Sequence, residues 1–170
     1  MSQHLIEVVD YDPAWPAQFI QERDALARTL SAWMAGPIEH IGSTSVPGLC
    51  AKPVIDLLVP VHGLEVSRAA IPVLEREHAY HYWPYQPDEM HWFCKPDEYM
   101  RTHHVHLGPI TSRPFRDKLG FRDLLRERPE LRAQYAELKR GLALAHRHDR
   151  EAYTEGKSPF ISAVLALLRD

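Results

Sequence analysis

Two hydrophobic periods divide the chain. Trp15, Phe19, Leu26, Leu30 and Trp33 are spaced by threes, fours and sevens, the interval of one stripe on a helix, with Asp12 placed to cap it, Pro13 at its first position and Gly36-Pro37 after its end. Residues 37–43 read as a strand running into a Ser/Thr/Gly loop. Residues 53–61 are almost continuously apolar, with one charge, Asp56, which suits a strand buried on both faces. Leu64, Ala70, Ile71 and Leu74 predict a helix over residues 64–78 that Pro72 weakens or shortens. Short strands follow at 80–85, 91–95 and 101–107, separated by the turn-forming pairs Asp88-Glu89 and Pro96-Asp97. From Arg113 onward the period is helical. Phe121, Leu124 and Leu125 mark one helix, Leu131, Tyr135, Leu138, Leu142 and Ala145 a second after Pro129, and Ser158-Pro159 opens a last one. This order predicts one α+β domain over residues 1–170, a mixed β-sheet packed with helices and a helical C-terminal third.

Composition narrows the function. A chain of 170 residues with 45% hydrophobic content buries enough surface to fold without a metal or a disulfide, so its 11 histidines are not needed for stability. Twenty Lys+Arg against 23 Asp+Glu give a net charge of -3, which excludes a bulk electrostatic grip on DNA. No stretch approaches the 18 apolar residues of a membrane span, and the start lacks the basic and apolar regions of a signal peptide. The expectation is a cytoplasmic protein without a membrane or DNA partner, its two isolated cysteines, Cys50 and Cys94, being reduced and buried. There is no Walker A sequence, no G-x-G-x-x-G and no G-x-S-x-G.

The chemistry concentrates in two stretches. In the first, Gly42-Ser43-Thr44-Ser45 follows a predicted strand, and twelve residues lie between Ser43 and Asp56 on the next one. In the second, Arg101-Thr102-His103-His104-Val105-His106, strand alternation places Thr102, His104 and His106 on one face and Arg101, His103 and Val105 on the other. Two same-face histidines at i, i+2, with Asp56 on a nearby strand, form a two-His, one-carboxylate set suited to a single divalent ion. Hydrogen-bonded structural imidazoles are the other reading. Lys52 and Arg101 flank the two strands as candidates for phosphate contacts, and Tyr153, Lys157 and Phe160 fall at i, i+4, i+7 near the end.

The run from Ile38 to Val59, together with Tyr11-Asp12-Pro13-Ala14-Trp15, the Arg101 to His106 stretch, Phe121-Arg122-Asp123 and the segment from Tyr153 to Ile161, resembles the GrpB family, grouped with the nucleotidyltransferase superfamily. The resemblance implies a nucleotidyltransferase-like fold in which the loop Gly42, Ser43, Thr44 and Ser45 cradles phosphates, Lys157 contacts them and Asp56 holds a divalent metal (Mg, Mn or Zn); the positions read above add Lys52 and Arg101 to the phosphate contacts and His104 and His106 to the metal at the catalytic centre. It implies a nucleotide or other phosphorylated small molecule as ligand and metal-assisted nucleotidyl transfer as activity. The superfamily pattern carries two acids at alternate strand positions, but the second position here is Leu58, which cannot help clamp two ions. The alternative is a non-catalytic ligand-binding or accessory domain, since GrpB-like domains are joined to dephospho-coenzyme A kinases in some bacteria. Neither oligomeric state nor substrate can be read from these residues.

Overall fold

The computed structural model describes residues 5–169; residues 1–4 and Asp170 of the expected domain lie outside them. Helix α1 (Trp15–Leu30) leads into strand β1 (Glu39–Ile41), a short 3-10 turn (Ser43–Ser45) and strand β2 (Ile55–Val61). Helices α2 (Leu64–Ser67) and α3 (Ile71–His78) precede strands β3 (His81–Trp83), β4 (His91–Lys95) and β5 (His103–Pro109). Four helices close the chain: α4 (Arg113–Glu127), α5 (Pro129–Ala145), α6 (Arg150–Glu155) and α7 (Ser158–Ala166). The sheet order is β1-β2-β5-β4-β3, with β2 and β5 parallel and the other neighbours antiparallel.

Local chemistry explains the boundaries. Asp12 caps a turn rather than the helix: its Oδ1 accepts from Ala14 N at 2.8 Å, and α1 starts at Trp15 with Pro16 in its first turn. The helix expected from Pro13 therefore begins two residues late, at the first stripe residue Trp15, and it stops at Leu30, short of Trp33, before Met34 bridges to Val61 on the sheet. Pro72 divides the helix expected over 64–78 into α2, a 3-10 turn and α3, which starts with that proline in its first turn, where a missing N–H costs nothing. Ser112 Oγ accepts from Phe115 N at the start of α4, and Asp149 Oδ1 from Ala152 N at the start of α6, a helix the periodicity did not predict.

The sheet has two dissimilar faces. Ile55, Leu57, Val59 and Val61 of β2, with Val105 and Leu107 of β5, pack under Trp15, Phe19, Leu26 and Leu30 of α1 and Leu74 of α3, forming the main core. On the opposite face, Ile41, Leu58 and Met90 meet Phe115 of α4 in a smaller cluster, and a third, Val46, Leu49, Leu125 and Tyr135, ties the loop after β1 to α4 and α5. The second face is thus only partly apolar, and the helical third covers it. Leu57 is fully buried at the centre of the main core, so Leu57→Ala is expected to lower the unfolding free energy by about 2–5 kcal/mol, measured by denaturant titration.

Candidate functional site

The register brings the two sequence-predicted stretches into line. Ile41 pairs with Asp56 and Asp56 with His104, which pairs in turn with Cys94; one row along, Leu58 stands between Glu39 and His106, and His106 beside Trp92. Side chains directly paired across strands share a face, so Asp56, His104 and His106 project together beneath α4.

One carboxylate oxygen serves both histidines. His104 Nδ1 lies 2.9 Å and His106 Nε2 3.4 Å from Asp56 Oδ1. The nitrogens facing the ionised carboxylate donate to it, which turns His104 Nε2 and His106 Nδ1 away from Asp56. Those two atoms are buried and have no protein partner among the described residues. Burial works to raise the Asp56 pKa, but the hydrogen bonds from His104 and His106 outweigh it and hold the carboxyl well below its usual range. Burial first, then the Lys118 charge, pushes His106 down to about 4 against the pull of Asp56. The three side chains each offer one ligand atom within 4.8 Å of the others. Ligands around a tetrahedral ion stand roughly 3.4 Å apart at metal–ligand distances of about 2.1 Å, so the donor set fits one ion with small adjustments. Two nitrogens and one oxygen suit zinc or manganese better than magnesium, which prefers oxygen.

The loop after β1 is held rigidly against this carboxylate. Gly42 has φ 70°, and a Cβ there would collide with Asp56 Oδ2, so only glycine allows the approach. Thr44 Oγ1 donates to Val54 O at 3.1 Å and accepts from His40 Nε2 at 3.0 Å, while the His40 ring stacks on Phe19. Burial pushes His40 down to about 4, so it is neutral at pH 7. Ser45 Oγ donates to Gly42 O at 2.6 Å, and Arg126 grips Ser45 O with Nε and Nη2 at 3.0 and 2.8 Å. Arg122 joins α4 to β1 through Glu39 and His40 O. Of the four loop residues, Gly42 and Ser43 stand at the site, and the Thr44 and Ser45 hydroxyls are turned inward to hold the loop.

Cations converge on the same place from distant segments. Lys52, before β2, and Lys157, in the corner between α6 and α7, lie over the Tyr153 ring at 5.4 and 4.6 Å. Lys118 of α4 lies over Trp92 at 4.5 Å. Burial lowers the pKa of all three, that of Lys52 to about 8, and the charge of Asp56 opposes the fall in each. Arg101 is at the rim, over the Trp83 ring at 4.5 Å with Nε on Glu98 O, and Arg150 is held by Glu98 O and Tyr99 O. Among the described residues, none of these five side chains has a carboxylate within 4 Å. Lys157 is therefore near the site, but at the start of α7 rather than within one helix with Tyr153, because α6 ends at Glu155. His103 faces the other side, where Glu22, Tyr80 and Lys95 form their own cluster.

Three residues of the site escaped the sequence reading: Lys118, Arg150 and Lys139. Lys139 Nζ is 2.8 Å from Ser43 Oγ and also donates to Cys50 O. A signal for Lys139 existed. It falls four residues after Tyr135, on the apolar stripe of α5, where a lysine is anomalous.

A five-stranded mixed sheet that carries a Gly-Ser loop and a strand carboxylate, covered by a helical C-terminal region, defines the architectural class. The GrpB protein family model matches residues 5–167, and the chain belongs to that family. It is 42% identical over 166 residues to UPF0157 protein PA4798 of Pseudomonas aeruginosa, covering 94% of this chain and 66% of that relative, so it spans about two thirds of that protein's length. The crystal structure of conserved protein GrpB from Enterococcus faecalis superposes with a TM-score of 0.86 at 36% identity, over 95% of this chain and 96% of that one. A chain of the GLD-2/RNP-8 complex shares the fold at a TM-score of 0.61 and 13% identity, over 95% of this chain and 62% of that one. No helix among the described residues is long and apolar enough to cross a membrane.

The buried neutral histidines make the fold acid-sensitive. In the unfolded chain His40 and His106 take up protons near pH 6.5, but the folded protein resists until about pH 4. The unfolded state thus binds more protons in that window, and stability falls as pH drops through it, by up to about 1.4 kcal/mol per pH unit for each histidine. Asp56 adds its loss only below about pH 4, the unfolded carboxyl value. Urea titrations at pH 7, 6 and 5 should show the decline, and His40→Gln should flatten it by about one proton.

Proposed function

We propose that this site binds a phosphorylated small molecule of nucleotide type and that Asp56, His104 and His106 hold a divalent ion beside it. The observation that carries this reading is the gathering of Lys52, Lys118 and Lys157 around a single carboxylate, with Arg101 and Arg150 at the rim and no carboxylate within 4 Å of any of the five among the described residues. Bringing several uncompensated cations together out of water is costly. In a chain of net charge -3, acids were available to neutralise them. A ligand with several negative charges, such as a di- or triphosphate, offsets that cost.

The residues divide the work by geometry. Gly42 lets the backbone approach, Lys52 and Lys157 place point charges where phosphate oxygens would sit, and Ser43 offers the one loop hydroxyl at the site. A bound zinc- or manganese-type ion supplies Lewis-acid polarisation of a phosphoryl oxygen. The reaction class these parts suit is metal-assisted nucleotidyl transfer, and the fold shared with the GLD-2/RNP-8 chain supports it as analogy. Leu58 favours a second reading. It is fully buried beside His106 where the superfamily pattern has an acid, as fits a ligand-binding or accessory domain that no longer transfers.

Calorimetric titration with a nucleoside triphosphate, with and without Mn²⁺ or Zn²⁺, tests the binding reading. Binding strengthened by the metal is expected. Lys52→Met and Lys157→Met should each weaken it about tenfold, near 1.4 kcal/mol, and Asp56→Asn should abolish the metal dependence. Absence of binding by the folded wild-type protein overturns the proposal, and release of pyrophosphate distinguishes transfer from binding alone.

A further inference from the structure

The Ser43 hydroxyl differs from its neighbours. Thr44 and Ser45 donate to backbone carbonyls that pin the loop, whereas Ser43 Oγ is bracketed by two side chains of α5. Lys139 Nζ donates to it at 2.8 Å, and the buried Tyr135 phenol stands beside the same serine. Both helix residues are buried, Lys139 to 2% exposure, while Ser43 itself is half-buried and can be reached from the site. Holding a loop does not require this arrangement. Arg126 holds Ser45 O from a more exposed position with a permanent charge, and it is joined to Asp123. Lys139 has no carboxylate within 4 Å among the described residues, and its remaining contacts are the Cys50 carbonyl and the face of Tyr135 at 4.7 Å.

We infer that Ser43 is an activated nucleophile toward phosphoric anhydrides, with Lys139 as its proton acceptor. A neutral lysine has two N–H bonds and one lone pair. One N–H goes to Cys50 O; the charged ammonium also donates to Ser43 Oγ at 2.8 Å, and once it has lost a proton its lone pair can take up that contact, with Ser43 Oγ–H donating in return. In the step itself, a Ser43 Oγ–P bond forms and the P–O bond to the leaving phosphate breaks. The leaving group takes that electron pair, and the serine proton passes to Lys139 Nζ. Burial supports the role by pushing Lys139 down to about 7, so that much of it is neutral near physiological pH. The natural substrate class rests on the phosphorylated-ligand reading above; the nucleophile does not.

A small alkyl fluorophosphonate, whose P–F bond stands in for the anhydride, tests the nucleophile on the full chain. Intact mass and peptide mapping should show one adduct, on Ser43 and absent from Ser43→Ala. Its rate should rise about tenfold from pH 6 to pH 8 and then level, following the fraction of neutral lysine. Lys139→Met should slow it by about 100-fold or more, the scale of a lost general base. That variant could also disturb the buried core, so the wild-type pH profile is the second measure, and a merely structural lysine would not produce it. A folded wild-type protein that stays unlabelled, labels elsewhere, or labels at a rate flat in pH beyond the reagent's own hydrolysis overturns the inference. Labelling without nucleotide binding would refute only the ligand reading, and nucleotide binding without labelling only this one.

Discussion

A carboxylate at the second residue of an otherwise apolar strand must find partners in the fold or be protonated, and Asp56 sets the terms for everything around it. Its Oδ1 takes His104 and His106 of β5, which requires β2 and β5 to pair in parallel with Asp56 opposite His104. Its Oδ2 abuts Gly42, which requires a left-handed residue without a side chain at the end of β1. A slip of one residue in either pairing would turn the carboxylate into the α1 core and the leucines out of it. The strand register and the site are therefore one specification.

Much of this was legible in the sequence, for a physical reason. Strand alternation is strict, so the grouping of His104 with His106, apart from His103 and Val105, follows from position alone. The unbroken apolar run with one charge marked both β2 and the residue most in need of partners, and Pro72 marked the break between α2 and α3. Contacts between helix and sheet were not legible. Lys139 reaches Ser43 across 96 positions, and nothing local announces such a contact except a lysine on an apolar stripe. Lys118 was hidden in the same way, because a helix on the mixed face of a sheet has no clean boundary between its buried and solvated sides. The corner between α6 and α7 was missed because α6 is only six residues long, too short to show a period.

The helical third has two tasks that compete. Phe115, Leu125 and Tyr135 supply apolar cover, while Lys118, Lys139, Arg150 and Lys157 bring charge into the same layer. The conflict is eased by aromatic rings. Lys52 and Lys157 rest on Tyr153, Lys118 on Trp92, Lys139 on Tyr135 and Arg101 on Trp83. A ring face attracts a cation without neutralising its charge, so the site keeps its positive potential and still packs.

The strand that carries His104 and His106 is the last to be made and yet lies third of five in the sheet. Until β5 emerges during synthesis, β2 can pair only with β1 and β4 only with β3, leaving two inner edges open. Unpaired edges template association with other chains, so a truncated or stalled product ending before residue 103 would present two adhesive surfaces instead of one sheet. The strand that completes the site is also the one that joins two hairpins into a domain, and a lesion in it would show first as aggregation.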